Sequence, residues 1–276
     1  MKDYTFTSRT GGSYPDGKYH VYLSDANTLR MAIYGDSFGD AGFIKLEQGV
    51  RNIERWWTTL LAKKMNARVV DNYSAGRTPF IFSYKNFLNN YKKYDVNIVL
   101  VTDPCRYTKP ISFSIDYIKN KPQYRGPNIN TLESFRKEPK LTKEDIAQID
   151  NIINWHMVSD SDFMKTAHNL MIKEIMRLDP NTILVPCFAD SMYDFLKSTK
   201  CLTDFAMHQF KLLGIDRDSI GRYSERHDVI ACHFTPEMNI AVADIIYERI
   251  VTGKWNWDLP NVKHDHPVEY YYNKED

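Results

Sequence analysis

Four short, mainly apolar runs alternate along the chain with longer segments whose apolar residues recur at helical spacing. Runs of this kind are typical of strands that are buried on both faces of a parallel sheet. The predicted strands are 29–34, 67–73, 95–102 and 182–188. Pro186 lies inside the last run, so we expect that strand to form an edge of the sheet or to end at the proline.

The segments between these runs have the pattern of amphipathic helices. The predicted helices are 50–65, 79–91, 142–178 with a break near 159–162, 192–213 in two pieces, and 236–251. Thr142 and Asp145 have the spacing of a capping box at the start of the third helical segment. Strands and helices alternate in this order, which predicts a three-layer α/β fold with a mainly parallel sheet.

No internal repeat or linker divides the chain, so we expect a single domain over residues 1–276, with its core at about 29–253. We expect residues 1–28 to form a loop or a weak hairpin that lies on the rest of the domain. The polar, proline-rich segment 103–140 predicts an insert over an active site or a partner surface, since long loops in compact domains are usually functional. We expect residues 254–276 to form an irregular tail that wraps around the domain or contacts a partner.

The composition is that of an ordinary globular protein, with 43% hydrophobic and 26% charged residues. The 36 Lys and Arg residues balance 35 Asp and Glu residues, so no bulk field attracts nucleic acid or an anionic membrane. No apolar run has the length of a membrane span or of a signal peptide core, and we expect a cytoplasmic or virion-associated protein.

The four cysteines are widely spaced and form no CxxC pair, so we expect free thiols in a reducing compartment rather than a disulfide framework or a zinc site. They are Cys105, Cys187, Cys201 and Cys232.

Residues 35–40 (GDSFGD) directly follow the first predicted strand. In parallel α/β sheets the chemistry lies beyond the carboxyl ends of the strands. The flanking glycines allow a sharp turn that would present Ser37 there, with its backbone N–H near a developing oxyanion. From these residues alone, an equally good interpretation is that Asp36 and Ser37 only cap a turn or a helix.

His233 immediately precedes the last predicted helix, and Thr235 and Pro236 are well suited to begin that helix. This places His233 on a loop, where an imidazole can act as the general base toward a serine hydroxyl. Considered alone, a loop histidine is more often a surface residue without such a role.

Together these residues resemble the SGNH/GDSL hydrolases, a family of serine esterases. The tripeptide that ends at Ser37 resembles the nucleophile block of the family, with Phe38 where leucine is commoner. Segment 72–76 (NYSAG) resembles the second block, whose glycine N–H joins the oxyanion hole, and Gly76 is the matching position. His233 resembles the general base. The resemblance implies a flavodoxin-like fold and a Ser37 that attacks an ester carbonyl without a metal or an organic cofactor.

The sequence departs from the family at its third block, which usually carries an asparagine that completes the oxyanion hole. Segment 101–106 (VTDPCR) has none. Thr102 could donate through its hydroxyl or Arg106 through its guanidinium, whereas an ionised Asp103 could not donate. Arg106 is also compatible with holding an anionic or sugar substrate, or with a surface ion pair. Loss of one oxyanion donor typically lowers the rate by ~10²–10³-fold.

The second departure concerns the acid of the catalytic triad, which the family usually has three residues before the histidine. Ile230 occupies that position. Asp228 is the candidate acid if the loop bends, and Glu225 is a more remote candidate. Otherwise a backbone carbonyl would fix the imidazole tautomer and leave a Ser–His dyad.

The remaining features suggest no further chemistry. Trp56 and Trp57 are adjacent in a predicted helix, so we expect at least one of them to pack in the core. His264 and His266 are only a faint metal motif in the tail. We expect the basic segment 85–93 to be one face of an amphipathic helix rather than a nucleic-acid patch. The glycine-rich phosphate-binding motifs GxGxxG and GxxxxGK[ST] do not occur in the sequence.

The leading hypothesis is therefore a serine esterase that hydrolyses an acyl ester, with an acetyl ester on a carbohydrate as the favoured substrate. Family precedent and the 13% aromatic content favour that substrate. The alternative is a binding or virion structural protein on a degenerate scaffold, which the missing asparagine and aspartate favour. The Lys-, Asn- and Tyr-rich composition would also suit a viral or phage protein. We expect no nucleic-acid partner and no membrane span, and the oligomeric state stays open. Convergence of Ser37, His233 and Gly76 would distinguish the two hypotheses.

Overall fold

The computed structural model describes residues 5–7, 19–22, 27–40, 56–75, 78–102, 133, 136–137, 141–158, 161–188, 200–202, 234 and 236–257. The strands of these ranges are β1 (Thr5–Thr7), β2 (Tyr19–Tyr22), β3 (Arg30–Tyr34), β4 (Val69–Asn72), β5 (Val96–Val101) and β6 (Ile183–Pro186). Their helices are α1 (Trp57–Lys64), α2 (Phe80–Asn90), α3 (Lys143–Val158), α4 (Ser161–Leu178) and α5 (Pro236–Thr252). None of the helices in these ranges is long and apolar enough to cross a membrane.

The described strands form one sheet in the order β1-β2-β4-β3-β5-β6. Strands β4, β3, β5 and β6 are parallel, whereas β2 pairs with β4 and β1 pairs with β2 in the antiparallel sense. Among the parallel strands, the first along the chain lies between the second and the third, which is the flavodoxin-like order. The predicted α/β fold with a mainly parallel sheet is confirmed.

Side chains alternate across the parallel strands, so a hydrophobic core forms on each face of the sheet. The core on one face joins the sheet to α1 and α5 and includes Met31, Ile33, Val70, Ile98, Leu100, Leu61 and Ile246. The core on the other face joins it to α2 and α4 and includes Ala32, Tyr34, Val99, Val101, Phe87 and Ile175. These three layers explain why the predicted strands are apolar in nearly every position.

Several local predictions are confirmed. Pro186 is the last residue of β6, which is the edge strand of the described sheet. The predicted helical break lies between α3 and α4. The Thr142 hydroxyl accepts from the Asp145 N–H at 3.1 Å, and the Asp145 carboxylate accepts from the Thr142 N–H at 3.1 Å, which is a reciprocal capping box.

The N-terminal segment differs from its prediction in one respect. Strands β1 and β2 form the predicted hairpin pairing, but they also extend the sheet, because β2 pairs with β4 over four residues from Tyr19 to Tyr22. Cys187 and Cys201 are buried cysteines outside any disulfide. Cys105 and Cys232 lie outside the described residues, as do most of the predicted helix 192–213, the predicted insert and the predicted tail.

A buried polar cluster interrupts the apolar pattern of β4. The Tyr94 hydroxyl donates to the Asp71 carboxylate, and the Tyr73 and Tyr94 hydroxyls lie 2.7 Å apart. Burial and the bond to Asp71 raise the pKa of Tyr94 well above its ordinary value. Tyr94 is therefore a neutral donor at physiological pH, which compensates the burial of the carboxylate.

Candidate active site

The loop of residues 35–40 follows β3 at the carboxyl end of the parallel sheet. The Asp36 carboxylate accepts from the Phe38 N–H at 3.0 Å, and the Asp36 carbonyl accepts from the Gly39 N–H at 3.1 Å. These bonds make a tight turn in which Asp36 caps the backbone two residues ahead. The turn-capping interpretation is thus correct for Asp36. Ser37 lies within this turn, and 6% of its surface is exposed.

Both glycines of the loop are required by close packing. A Cβ atom at Gly35 would lie 2.5 Å from Leu100 Cδ1, and one at Gly39 would lie 2.1 Å from Ser74 Oγ. Carbon atoms do not approach other atoms this closely without displacing them, so the loop packs directly on β5 and on the segment after β4. The two glycines therefore set the position of Ser37 relative to those strands.

Three side-chain donors hold the backbone carbonyls that follow Ser37. The Trp57 indole N–H donates to the Phe38 carbonyl at 2.7 Å, and the Trp56 indole N–H donates to the Gly39 carbonyl at 3.0 Å. The Asn72 side-chain amide also donates to the Gly39 carbonyl, at 2.7 Å. Both tryptophans are fully buried, so the prediction that at least one packs in the core is confirmed. The sequence did not predict that the two indoles donate to the loop, because nothing in a pair of adjacent tryptophans indicates which carbonyls they will contact.

Thr102 lies directly after β5 and is fully buried. Its hydroxyl donates to the Asp36 carboxylate at 2.6 Å. A hydroxyl has a single proton to donate, so the predicted donation of this proton to an oxyanion would require the Asp36 bond to break. The geometry instead connects Thr102 to the turn that carries Ser37.

Substituting Thr102 tests this bond. We expect Thr102→Val to lower the free energy of unfolding by ~1.5–3 kcal/mol, because a buried carboxylate would lose a charge-assisted hydrogen bond. Thr102→Ser keeps the hydroxyl and is the matched control, with a smaller loss. Denaturant unfolding at pH 7 measures both variants. Equal stability of the valine and serine variants would contradict the role of the hydroxyl.

A histidine that the sequence did not single out lies behind Thr102. His168 on α4 is 3% exposed, and its ring stacks on Phe80 with 4.2 Å between ring centroids. Burial lowers its pKa to about 3, against a smaller opposing effect of a hydrogen bond to the Thr102 backbone. His168 is therefore a neutral imidazole at physiological pH, and it supports Thr102 from the α4 side of the sheet.

The described neighbours of Gly76 are anchored to the 35–40 loop. The Ala75 N–H donates to the Gly35 carbonyl at 3.1 Å. On the other side of Gly76, the Thr78 hydroxyl donates to the Ala75 carbonyl at 2.7 Å. The Thr78 hydroxyl also lies 3.4 Å from the Gly35 carbonyl, so the described residues on both sides of position 76 contact Gly35.

The residue after His233 is also in contact with this loop. Phe234 is 3% exposed, and its ring packs against that of Phe38 with 5.5 Å between centroids. Phe38 directly follows Ser37, so the residues that follow the predicted nucleophile and the predicted base pack on one another.

Of the predicted site residues, the structure describes Ser37 and Thr102. Ser37 follows Asp36 in the turn, and the Thr102 hydroxyl donates to the Asp36 carboxylate. Within the described ranges, no residue forms a hydrogen bond with the Ser37 hydroxyl. The other predicted site residues, Gly76, Arg106, Asp228 and His233, lie outside those ranges, and their roles stay predictions. The described residues hold no group of three or more His, Cys, Asp or Glu side chains that could bind a metal ion.

No protein-family model matches the sequence, and no curated protein matches it significantly. Among solved structures, the chain is similar to the crystal structure of the acetyl xylan esterase AlAXEase, with 13% identity and a TM-score of 0.34 over 80% of this chain and 100% of that one. It is also similar to a family two carbohydrate esterase from Clostridium thermocellum in complex with cellohexaose, with 11% identity and a TM-score of 0.34 over 84% of this chain and 67% of that one. At these identities and TM-scores neither similarity carries an inference about function.

Proposed function

We propose that this protein is a serine ester hydrolase of the SGNH type, with Ser37 as the nucleophile and His233 as the general base. The contact between Phe38 and Phe234 is the observation that carries the proposal. This contact joins the residues that directly follow the predicted nucleophile and the predicted base, and it supports the proposal that positions 37 and 233 act together. In sequence the two positions are almost 200 residues apart.

In the proposed mechanism, Ser37 Oγ attacks the ester carbonyl while His233 accepts the serine proton. The imidazolium then gives this proton to the leaving alcohol, and an acyl group remains bound to Ser37. Water, deprotonated by His233, releases the acyl group as a carboxylic acid and restores the serine. Asp228 or a backbone carbonyl would hold the imidazole in the productive tautomer.

The oxyanion would be held by the backbone N–H groups of Ser37 and Gly76. The bonds of Ala75 and Thr78 to Gly35 support this assignment, because they hold the described residues on both sides of position 76 next to the turn. The Thr102 hydroxyl donates to Asp36, so we assign it to positioning the turn. Arg106 is then the remaining predicted side-chain donor for the oxyanion or the substrate.

We propose a small acyl group, with an acetyl ester on a carbohydrate as the first candidate. Only 6% of the Ser37 surface is exposed, which favours a compact acyl group at the reacting centre. The predicted insert 103–140 follows β5, whose carboxyl end borders the site, and it is the predicted source of selectivity for the alcohol.

Hydrolysis of 4-nitrophenyl acetate and of acetylated sugars tests the proposal. We expect turnover by the parent and a loss of ~10⁴–10⁶-fold in Ser37→Ala, because the nucleophile is removed. Ser83→Ala is the matched control, since Ser83 is a buried serine that belongs to α2 and not to the 35–40 loop. A folded parent without hydrolysis, or an unchanged rate in Ser37→Ala, would contradict the proposal. A folded parent that hydrolyses neither substrate would favour the alternative of a binding protein.

A further inference from the structure

Asn239 is a fully buried polar residue in the first turns of α5, and its side-chain amide bonds to one residue far away in the chain and to one residue just before the helix. Its Oδ1 accepts from the backbone N–H of Trp57 at 3.0 Å. Its Nδ2 donates to the Phe234 carbonyl at 3.3 Å. One amide group therefore links the start of α1 to the segment that directly follows His233.

The contact with Trp57 supplies a cap that α1 lacks in its own sequence. Trp56 occupies the N-cap position and forms no side-chain capping bond. Serine, threonine, aspartate and asparagine are the residues that normally cap a helix, since they accept from the free N–H groups of the first turn. Asn239 performs this function from another helix, 182 residues later in the chain.

Trp57 extends the link to the predicted nucleophile. Its indole N–H donates to the carbonyl of Phe38, the residue after Ser37. A series of hydrogen bonds thus runs from the Phe234 carbonyl through the Asn239 amide and Trp57 to the Phe38 carbonyl. The packing of the Phe38 ring on the Phe234 ring closes this series into a loop of contacts.

We infer that Asn239 is a positioning residue that fixes the separation between the Ser37 turn and the segment that carries His233. The inference rests on the proposed function, since it gives that separation a catalytic meaning. Asn239 acts through Trp57 and Phe234 and contacts no substrate. A planar amide that is bonded at both ends restricts the distance between its partners, and a misplacement of ~1 Å can cost ~10²-fold in rate.

Two substitutions separate the two contacts of the amide. Asn239→Asp keeps an acceptor for the Trp57 N–H, where a negative charge is favourable at a helix N-terminus, but it removes the donor to the Phe234 carbonyl. Asn239→Ala removes both contacts. Ile246→Ala is the control, because Ile246 is a buried core residue of the same helix outside the series of hydrogen bonds.

The rate at which a fluorophosphonate phosphonylates Ser37 is the first readout. We expect Asn239→Asp to be less stable than the parent, because its buried carboxylate would face the Phe234 carbonyl oxygen, and to react ~10–100-fold more slowly at a temperature well below unfolding. Asn239→Ala should lose both stability and rate. Ile246→Ala should lose stability while its rate at a temperature well below unfolding stays close to that of the parent. Parent-like rates in both Asn239 variants, or an equal loss in Ile246→Ala, would overturn the inference.

Amide hydrogen exchange is the second readout and needs no reactivity. We expect Asn239→Ala to raise exchange ~10-fold or more in peptides that cover 36–40 and 232–238, relative to Ile246→Ala, because both segments lose their link. If the parent does not react with the fluorophosphonate, the proposed function fails and the exchange data alone decide the positioning role. If the parent reacts but exchange in these peptides is unchanged, the positioning role fails and the function stands.

Discussion

Replacing His233 with alanine is expected to lower the rate of ester hydrolysis by ~10⁴-fold or more, because a serine hydroxyl is a weak nucleophile without a base to accept its proton. The parent should show kcat/KM that rises with pH as the general base loses its proton. The variant should lose this dependence. Rates for 4-nitrophenyl acetate between pH 5 and 9 measure both effects.

Two controls make the result specific to a base at position 233. Added imidazole should restore part of the lost activity in His233→Ala, since it can replace the missing base in the vacated space. His264→Ala removes a histidine of the C-terminal segment and should react like the parent. Retention of activity within ~10-fold in His233→Ala would mean that another group accepts the serine proton.

The second large effect is on acid stability. The pKa of His168 is 6.5 in its ordinary state and about 3 in the folded protein, because the imidazole is buried. Between these pH values the unfolded chain binds a proton that the folded chain does not, so the free energy of unfolding falls as the pH falls. The contribution is fully present above pH ~6.5 and decreases by up to ~1.4 kcal/mol per pH unit below it.

At pH ~3, protonation of this one group in the unfolded chain would lower the free energy of unfolding by on the order of 5 kcal/mol relative to pH 7. This is a large part of the stability of a typical domain. His168→Gln removes the titration and keeps an N–H donor for the Thr102 backbone. Denaturant unfolding at pH 7, 6, 5 and 4 should show a shallower decline in this variant, with His264→Gln as the control. Parallel declines in His168→Gln and the parent would show that His168 does not remain neutral in the folded state.

The elements that the sequence predicts well are those whose residues act locally. Strand β5 was predicted within one residue at each end, because burial on both faces requires a continuous β-branched run bounded by polar residues. The capping box at Thr142 and Asp145 was also predictable, since its two partners lie within one helical turn. Pro186 could be placed because a missing N–H restricts proline in sheets.

The contacts that shape the candidate site are not local and left no pattern to detect. Asn239 and Trp57 lie 182 positions apart, and either residue alone looks like an ordinary member of a helix. Thr102 was predicted as a donor, but its partner Asp36 lies 66 positions away and could be identified only in the folded chain. Burial of His168 depends on the packing of α4 against α2 and the sheet. Sequence patterns gave the elements and the candidate residues, whereas the partners of those residues required the structure.

The most direct test of the serine mechanism is the mass of the intact protein after reaction with a fluorophosphonate, with the modified residue located by peptide mapping. An activated serine displaces fluoride and retains the phosphonyl group, whereas ordinary serines do not react. We predict a single adduct, located on Ser37, absent from Ser37→Ala and formed much more slowly in His233→Ala. A folded parent that gains no adduct, or gains one at another residue, would contradict the assignment of Ser37 as the nucleophile.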